Sequence, residues 1–146
     1  MNVLFVCTGN SCRSPMAESY FKLAAHRKGL KHVRVHSAGL AACGGTISRH
    51  ARLVLQEHNI APASTKSCMV TDRAVAKADR ILTMTAAQKD TLEATFSGAK
   101  GKVEVLGDYL RPPRNISDPI GGTIDDYRAC FQTIREAIDA LLPALA

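Results

Sequence analysis

Two cysteines and an arginine near the N-terminus are the residues whose types and spacing could do chemistry. Cys7 and Cys12 stand at the two ends of the stretch CTGNSC, and Arg13 follows directly, which gives the pattern Cys-x5-Arg. Two thiols this close could form a redox pair or half of a metal site. Alternatively, Cys7 is a nucleophile at the base of a loop that binds a phosphoryl group through its amides and Arg13. The pattern alone is common, so its context has to separate these alternatives.

A predicted strand and a predicted helix flank this stretch. Val3–Cys7 is a short β-rich run, and a helical apolar pattern begins at Met16, with Ser14 as the expected helix N-cap and Pro15 as the first helical residue. Backbone N–H groups in such a turn converge on an anion, helped by the helix dipole. We expect Gly9 to give the turn its conformational freedom. The context therefore favours a phosphate-binding loop. Its residues are Thr8, Gly9, Asn10, Ser11, Cys12 and Arg13.

The rest of the chain predicts the fold that positions this loop. Four β-rich runs alternate with helical patterns, and they are Val3–Cys7, Val33–Ser37, Arg80–Met84 and Val103–Leu106. The clearest helical pattern is an apolar stripe from Ile124 to Leu141, which we interpret as core packing. Strands separated by helices predict a single α/β domain over 1–146, with a four-stranded parallel sheet and helices on both faces. Ligands bind beyond the carboxyl ends of such strands, which is where Cys7 stands.

A long loop before the last helix carries a candidate acid. The loop is Gly107–Gly122, and within it Asp118 is followed by Pro119, which stiffens the chain, and then by two glycines. Displacement by a thiolate needs a proton for the leaving group and later a base for water, and one carboxyl group can serve both steps. Without the loop at Cys7, a turn residue before proline would be the favoured role of Asp118. The planar Arg13 guanidinium matches two phosphoryl oxygens, so we expect neither a metal ion nor a cofactor.

Composition narrows the classes of function. The chain has 146 residues, of which 46% are hydrophobic and 22% charged, and this is typical of a soluble globular protein. No apolar run approaches the ~20 residues of a membrane span, and the N-terminus lacks the positive segment of a secretion signal. We therefore expect a cytoplasmic protein without a membrane partner. The net charge of +6 is spread along the chain and aromatic residues make up 5%, which favours anionic substrates over nucleic acid.

The remaining cysteines separate two further alternatives. Cys43, Cys68 and Cys130 are interpreted as reduced thiols in the core or on the surface. An arsenate reductase uses a similar anion loop but needs two more cysteines that pass a disulfide outward, and Cys68 and Cys130 lie 62 residues apart on different elements. A phosphoprotein-binding module without catalysis is the non-enzymatic alternative. Such a module is expected to lack the nucleophile or the acid.

Four stretches of the chain, taken in order, resemble a known family. They are VCTGNSCRSPMAES, the run Ser37-Ala38-Gly39, Ile81–Met84, and Asp118-Pro119 ahead of the last helix. They are similar to the low-molecular-weight protein tyrosine phosphatases, and the resemblance covers essentially the whole chain. It implies a flavodoxin-like fold. It also implies a protein phosphatase that acts on a phosphorylated protein through a cysteinyl phosphate.

The same resemblance implies a role for individual residues. Cys7 corresponds to the nucleophile, Arg13 to the phosphate clamp and Asp118 to the general acid and base. Asn10 and Ser37 hold the loop in shape, and Ser14 donates a hydrogen bond to the Cys7 thiolate. Cys12 resembles a second loop cysteine that forms a reversible disulfide with Cys7 under peroxide. The family's histidine near Thr65 and Lys66 is missing, so the network that supports the loop is expected to differ.

Departures from the family pattern concern the substrate pocket, which we expect to include Ser11, Cys43 and Ile120. Tyrosine-directed members usually have a branched aliphatic residue at position 11, an aromatic wall at position 43 and tyrosines after Asp-Pro. The chain is more similar to the bacterial protein-arginine phosphatases of the family, which share a small hydroxyl residue at position 11 and a run like Asp118–Tyr127. A polar, cationic guanidinium suits a hydroxyl and a carboxylate better than aromatic surface. We therefore expect a preference for phosphoarginine, with phosphotyrosine as the alternative. We also expect the protein to be a monomer.

Overall fold

Four parallel strands form one sheet in the computed structural model, which describes residues 1–42 and 44–146. In chain order the strands are β1 (Asn2–Cys7), β2 (Arg34–Gly39), β3 (Arg80–Thr83) and β4 (Val103–Val105), and their spatial order is β2-β1-β3-β4. The α-helices of the described residues are α1 (Arg13–Arg27), α2 (Arg49–Glu57), α3 (Asp72–Lys77), α4 (Ala86–Thr95) and α5 (Ile124–Leu141). Short 3-10 helices cover Ser97–Ala99, Leu106–Tyr109 and Leu142–Leu145. The predicted α/β fold is confirmed, with strand ends shifted by one or two residues.

Helices cover both faces of the sheet, as predicted. Phe5 of β1 belongs to a core shared with α1, α2 and α5, whereas Val6 belongs to a second core shared with α3 and α4. Side chains of a strand alternate between faces, so a strand buried on both faces appears as a continuous apolar run. The predicted stripe of α5 faces the first core, where Phe131 and Ile138 are fully buried.

The loop from Thr8 to Cys12 connects β1 to α1 and rests against the end of β2. A Cβ atom built on Gly39 would lie 2.7 Å from the carbonyl oxygen of Thr8 and 2.9 Å from the amide nitrogen of Asn10. A real side chain at position 39 would therefore displace the loop. Glycine is required here because two backbone segments approach each other closely.

Two local predictions about this loop were wrong. Helix α1 begins at Arg13, one residue before the expected cap, and Cys12 occupies the N-cap position without a side-chain hydrogen bond. The Ser14 hydroxyl is consequently inside the first turn and free to make another contact. Asn10 is the loop residue whose backbone lies in the left-handed region, with a φ of 51°, whereas Gly9 has no positive φ. Asparagine tolerates this region because its short polar side chain can hydrogen-bond locally, and the contacts below show how Asn10 does so.

Candidate active site

The Cys7 thiol is buried at the carboxyl end of β1, with hydrogen-bonding groups directed at its sulfur. Its Sγ accepts a hydrogen bond from the backbone N–H of Asn10 at 3.2 Å and lies 3.0 Å from the Ser14 hydroxyl. The N–H groups of the first turn of α1 have no partners within the helix. A thiolate only accepts hydrogen bonds, so these surroundings suit a nucleophilic sulfur.

The side chain of Asn10 holds the loop from the inside. Its amide nitrogen donates to the hydroxyls of Ser14 at 2.8 Å and Ser37 at 3.0 Å, and its Oδ1 accepts from the backbone N–H of Cys68 at 2.8 Å. The Ser67 hydroxyl donates to the backbone oxygen of Asn10, also at 2.8 Å. Ser67 and the Cys68 backbone, which the sequence analysis missed, thus support the loop beside the position where the family's histidine is absent.

A buried carboxyl group ends this network. Ser37 donates its hydroxyl hydrogen to Glu18 Oε1 at 2.6 Å, so it can only accept from Asn10. Asn10 then donates both of its amide hydrogens, and the hydrogen of Ser14 remains available for Cys7. Burial raises the pKa of Glu18, although the hydrogen bond from Ser37 and the nearby cations oppose that shift. Sequence analysis missed Glu18, although a carboxylate four residues after Ser14 on the same helix face was a usable signal.

Arg13 and Asp118 meet at the same end of the sheet. The buried guanidinium of Arg13 donates to the carbonyl oxygen of Ile116 at 2.9 Å and to Asp118 Oδ2 at 3.4 Å. The Asp118 side chain is 39% exposed, and its Oδ1 accepts from the backbone N–H of Ile120 at 3.0 Å. A positive φ of 78° at Gly121 lets the chain turn back toward α5. The structure therefore brings the three predicted catalytic residues to one end of the sheet.

The far side of the loop packs against α2 and α5. The Cys12 sulfur is buried, 3.3 Å from the Tyr127 hydroxyl and 3.5 Å from the Ser48 hydroxyl. The Tyr127 ring stacks on His50 with centroids 5.1 Å apart. Burial, with the contact to Cys12, raises the pKa of Tyr127 to about 12. The phenol therefore stays neutral and holds this side of the loop without adding charge.

Two other loop residues are tied to neighbouring helices. The Thr8 hydroxyl accepts from Gln88 Nε2 at 3.1 Å, and Gln88 also forms the capping box of α4 with Thr85. The backbone oxygen of Ser11 accepts from the N–H of Ser48 at 2.8 Å. Gln88 was missed, although Thr-x-x-Gln before a helix is a recognisable sequence signal.

The structure describes two of the three residues predicted for the substrate pocket, and their role there stays a prediction. Ser11 is partly exposed beside the catalytic loop, and Ile120 is 66% exposed on the loop that carries Asp118. Cys43 lies outside the described residues. The interpretation of two other cysteines agrees with the structure, since Cys68 is exposed and Cys130 is buried in α5.

Outside Cys43, the remaining thiols and the possible metal ligands can be examined in the described residues. Burial raises the pKa of Cys130 to about 12, so this thiol stays protonated at neutral pH and is a poor disulfide relay. Within residues 1–42 and 44–146, no three His, Cys, Asp or Glu side chains are grouped so that they could hold a metal ion. No helix in that part of the chain is long and apolar enough to cross a bilayer.

Comparison with known proteins decides the family. Residues 2–146 match the model of the low molecular weight phosphotyrosine protein phosphatases. The chain belongs to this family. A protein-arginine-phosphatase of Bacillus subtilis (strain 168) is 40% identical, over 100% of this chain and 95% of the relative. The low molecular weight protein-tyrosine-phosphatase PtpB of Staphylococcus haemolyticus is 37% identical, over 97% of both chains.

A solved structure agrees with this family membership. A Cys-to-Ser variant of the YwlE arginine phosphatase, described with a phosphorylated active-site serine, superimposes with a TM-score of 0.93 at 36% identity, over 99% of this chain and 95% of that chain. The family resemblance predicted from the four sequence stretches is thereby confirmed, and this member is a cysteine-based protein phosphatase.

Proposed function

We propose that this family member is a metal-independent phosphoprotein phosphatase that works through a cysteinyl phosphate on Cys7 and prefers phosphoarginine to phosphotyrosine. The observation that carries the proposal is the placement of the Cys7 sulfur, which accepts the Asn10 N–H and lies 3.0 Å from the Ser14 hydroxyl at the start of α1. The phosphorylated active-site serine described for the YwlE variant supports a phosphoryl group on the active-site residue.

The reaction has two displacements at phosphorus. A lone pair of the Cys7 sulfur forms the S–P bond while the bond from phosphorus to the leaving nitrogen or oxygen breaks, and the leaving atom takes a proton from Asp118. Water then attacks phosphorus and gives a proton to Asp118, the S–P bond breaks, and the products are inorganic phosphate and the Cys7 thiolate. Arg13 and the loop amides balance the charge of the phosphoryl oxygens, which is the work a metal ion does elsewhere.

The preference for phosphoarginine rests on the polarity of the residues beside the loop. Ser11 offers a hydroxyl, and the partly exposed Asp118 carboxyl group offers an acceptor oxygen for a guanidinium N–H group. A branched aliphatic side chain at position 11 would leave such donors unpaired, at a cost of ~1–3 kcal/mol. The relative from Bacillus subtilis that bears the name protein-arginine-phosphatase supports the same preference.

Turnover of matched peptides tests this proposal. We expect a higher kcat/KM for a phosphoarginine peptide than for the phosphotyrosine peptide of the same sequence. Ser11→Ile should shift that ratio toward phosphotyrosine by about tenfold or more, and Ser11→Thr, which keeps the hydroxyl, is the matched control. A parent enzyme that favours phosphotyrosine, or a ratio that Ser11→Ile does not move, would assign the chain to the tyrosine-directed branch.

A second measurement tests the intermediate. Cys7→Ser should abolish turnover while inorganic phosphate still binds, because Arg13 and the loop amides remain. Acid quenching of the parent during turnover of a phosphorus-32-labelled peptide should leave label on the chain, and the label should be absent from Cys7→Ala. Appreciable activity in either variant would refute the cysteinyl phosphate.

A further inference from the structure

The outer edge of β2 is open along most of its length. At its carboxyl end, the Gly39 N–H donates to Cys68 O at 2.8 Å, and Gly39 O accepts from the Val70 N–H at 2.9 Å. In a strand the N–H and C=O of one residue point to the same edge, and successive residues alternate between edges. Val35 and Ser37 therefore direct their backbone groups outward as Gly39 does. Among the described residues, no backbone group pairs with those outward groups.

A groove follows each face of this open edge. One groove, of about 830 Å³, lies between β2, the second half of α1 and residues 59–62. The other, of about 580 Å³, lies between β2, the start of β1 and α3. An added strand places alternate side chains on opposite faces of the sheet. The two grooves provide room for both sets.

The ionisable residues that line the two grooves are basic. Among the described residues, no Asp or Glu lines either groove, but five Lys or Arg residues and two His residues do. They are Lys22, His26 and Lys31 on the α1 side, Arg73 and Lys77 on the α3 side, and Arg34 and His36, which line both grooves. The nearby carboxyl group of Glu18 is buried and accepts a hydrogen bond from Ser37.

The two faces of the edge differ in polarity. On the α1 side, Val33, Val35, Leu23 and Leu30 are partly buried apolar residues packed against the core. On the α3 side, Arg34 and His36 are exposed. A complementary strand would therefore alternate apolar side chains toward α1 with carboxylates toward α3.

We propose that the β2 edge binds an extended acidic segment of a partner protein, in which carboxylate and apolar residues alternate, by strand addition. Backbone hydrogen bonds to Val35 and Ser37 supply affinity, and the basic grooves supply selectivity. Exposed charges on an edge strand also guard against self-association, because two such edges bring like charges together. A second copy of this chain is for that reason a poor occupant.

Peptide binding to the full chain tests the proposal. The probe is a capped hexapeptide of alternating Glu and Val. The controls are an alternating Lys-Val peptide and a peptide with the same Glu and Val residues in two blocks. Binding is measured from the chemical shifts of the protein's backbone amides in NMR spectra. We expect the alternating acidic peptide alone to bind and to shift the amides of residues 33–37. Arg34→Glu should weaken binding about tenfold. Lys100→Glu makes the same charge change at an exposed site on the far side of the sheet and should stay within about twofold.

N-methylated peptides separate strand addition from simple charge attraction. Only alternate N–H groups of an added strand face β2, so in an alternating peptide either all Glu or all Val amides face it. One peptide is methylated on its Glu amides and the other on its Val amides. We expect one of these two sets of methylated peptides to lose binding and the other to keep it. Equal behaviour of the two sets, binding without shifts at residues 33–37, or equal effects of Arg34→Glu and Lys100→Glu would overturn the proposal. So would tighter binding of a single-stranded oligonucleotide than of the peptide at the same edge.

Discussion

Asn10 gives the sharpest test of how the catalytic loop is held. Its side chain makes three hydrogen bonds, to the hydroxyls of Ser14 and Ser37 and to the N–H of Cys68, and its backbone lies in the left-handed region. A typical hydrogen bond contributes ~0.5–1.5 kcal/mol, so Asn10→Gly should lower the free energy of unfolding by ~1.5–4.5 kcal/mol. Asn10→Ala should cost about 1 kcal/mol more, because alanine is strained at positive φ.

The assay combines urea denaturation with kcat/KM. If about 1.4 kcal/mol of the lost stabilisation comes from the loop geometry that positions Cys7 for the reaction, kcat/KM decreases about tenfold. Asn59 provides a matched control, since it is an exposed asparagine with a φ of 57° whose side chain makes no hydrogen bond within the described residues. Asn59→Gly should leave activity unchanged. The reasoning is refuted if Asn10→Gly is as stable and as active as Asn59→Gly.

Three further predictions follow from the loop and its supports. Gly39→Ala should lower the free energy of unfolding by ~1–3 kcal/mol and reduce activity. Gly9→Ala should leave the urea midpoint nearly unchanged, because its Cβ would lie 3.5 Å from the Ser11 hydroxyl, an ordinary contact. Burial raises the pKa of Glu18, so its ionisation lowers the free energy of unfolding as pH rises through the pKa of the folded state. Glu18→Gln should therefore gain stability relative to the parent between pH 4 and pH 7. A stability difference that does not depend on pH would contradict this. Cys12→Ser should recover less activity with dithiothreitol after peroxide than the parent does, because Cys12 traps the oxidised Cys7 as a disulfide, and equal recovery would exclude that role.

Sequence patterns predicted the elements well where one periodicity dominates. The continuous apolar run of β1 and the stripe of α5 both follow from burial against neighbouring layers, and both elements lie where they were expected. The location of Cys7, Arg13 and Asp118 at one end of the sheet was predictable, because each stands at the end of an element or in the loop before α5; their catalytic roles stay a prediction. Family resemblance added Asn10, Ser14 and Ser37, whose contacts depend on tertiary structure.

Local backbone details were harder to predict, since they depend on contacts between distant segments. Gly9 was expected to supply the unusual backbone conformation, but Asn10 adopts it because partners from β2 and from residues 67–68 stabilise its side chain. Ser14 was expected to cap α1, but its hydroxyl lies beside the Cys7 sulfur instead. Both errors came from applying local propensity to a loop whose shape is determined by long-range hydrogen bonds.

Buried residues of the loop and exposed residues beside it are under different constraints. Cys7, Asn10 and Arg13 are buried and hydrogen-bonded, so substitutions there disturb folding as well as catalysis. Ile120 is 66% exposed, and substitutions at such positions usually change stability by less than about 0.5 kcal/mol. Substrate preference can therefore change within this family while the fold and the loop stay constant. Overall identity is consequently a weak guide to substrate, since relatives named for arginine and for tyrosine match at 40% and 37%. We expect the side chain at position 11 to be the better guide, because it lies in the loop and is still partly exposed.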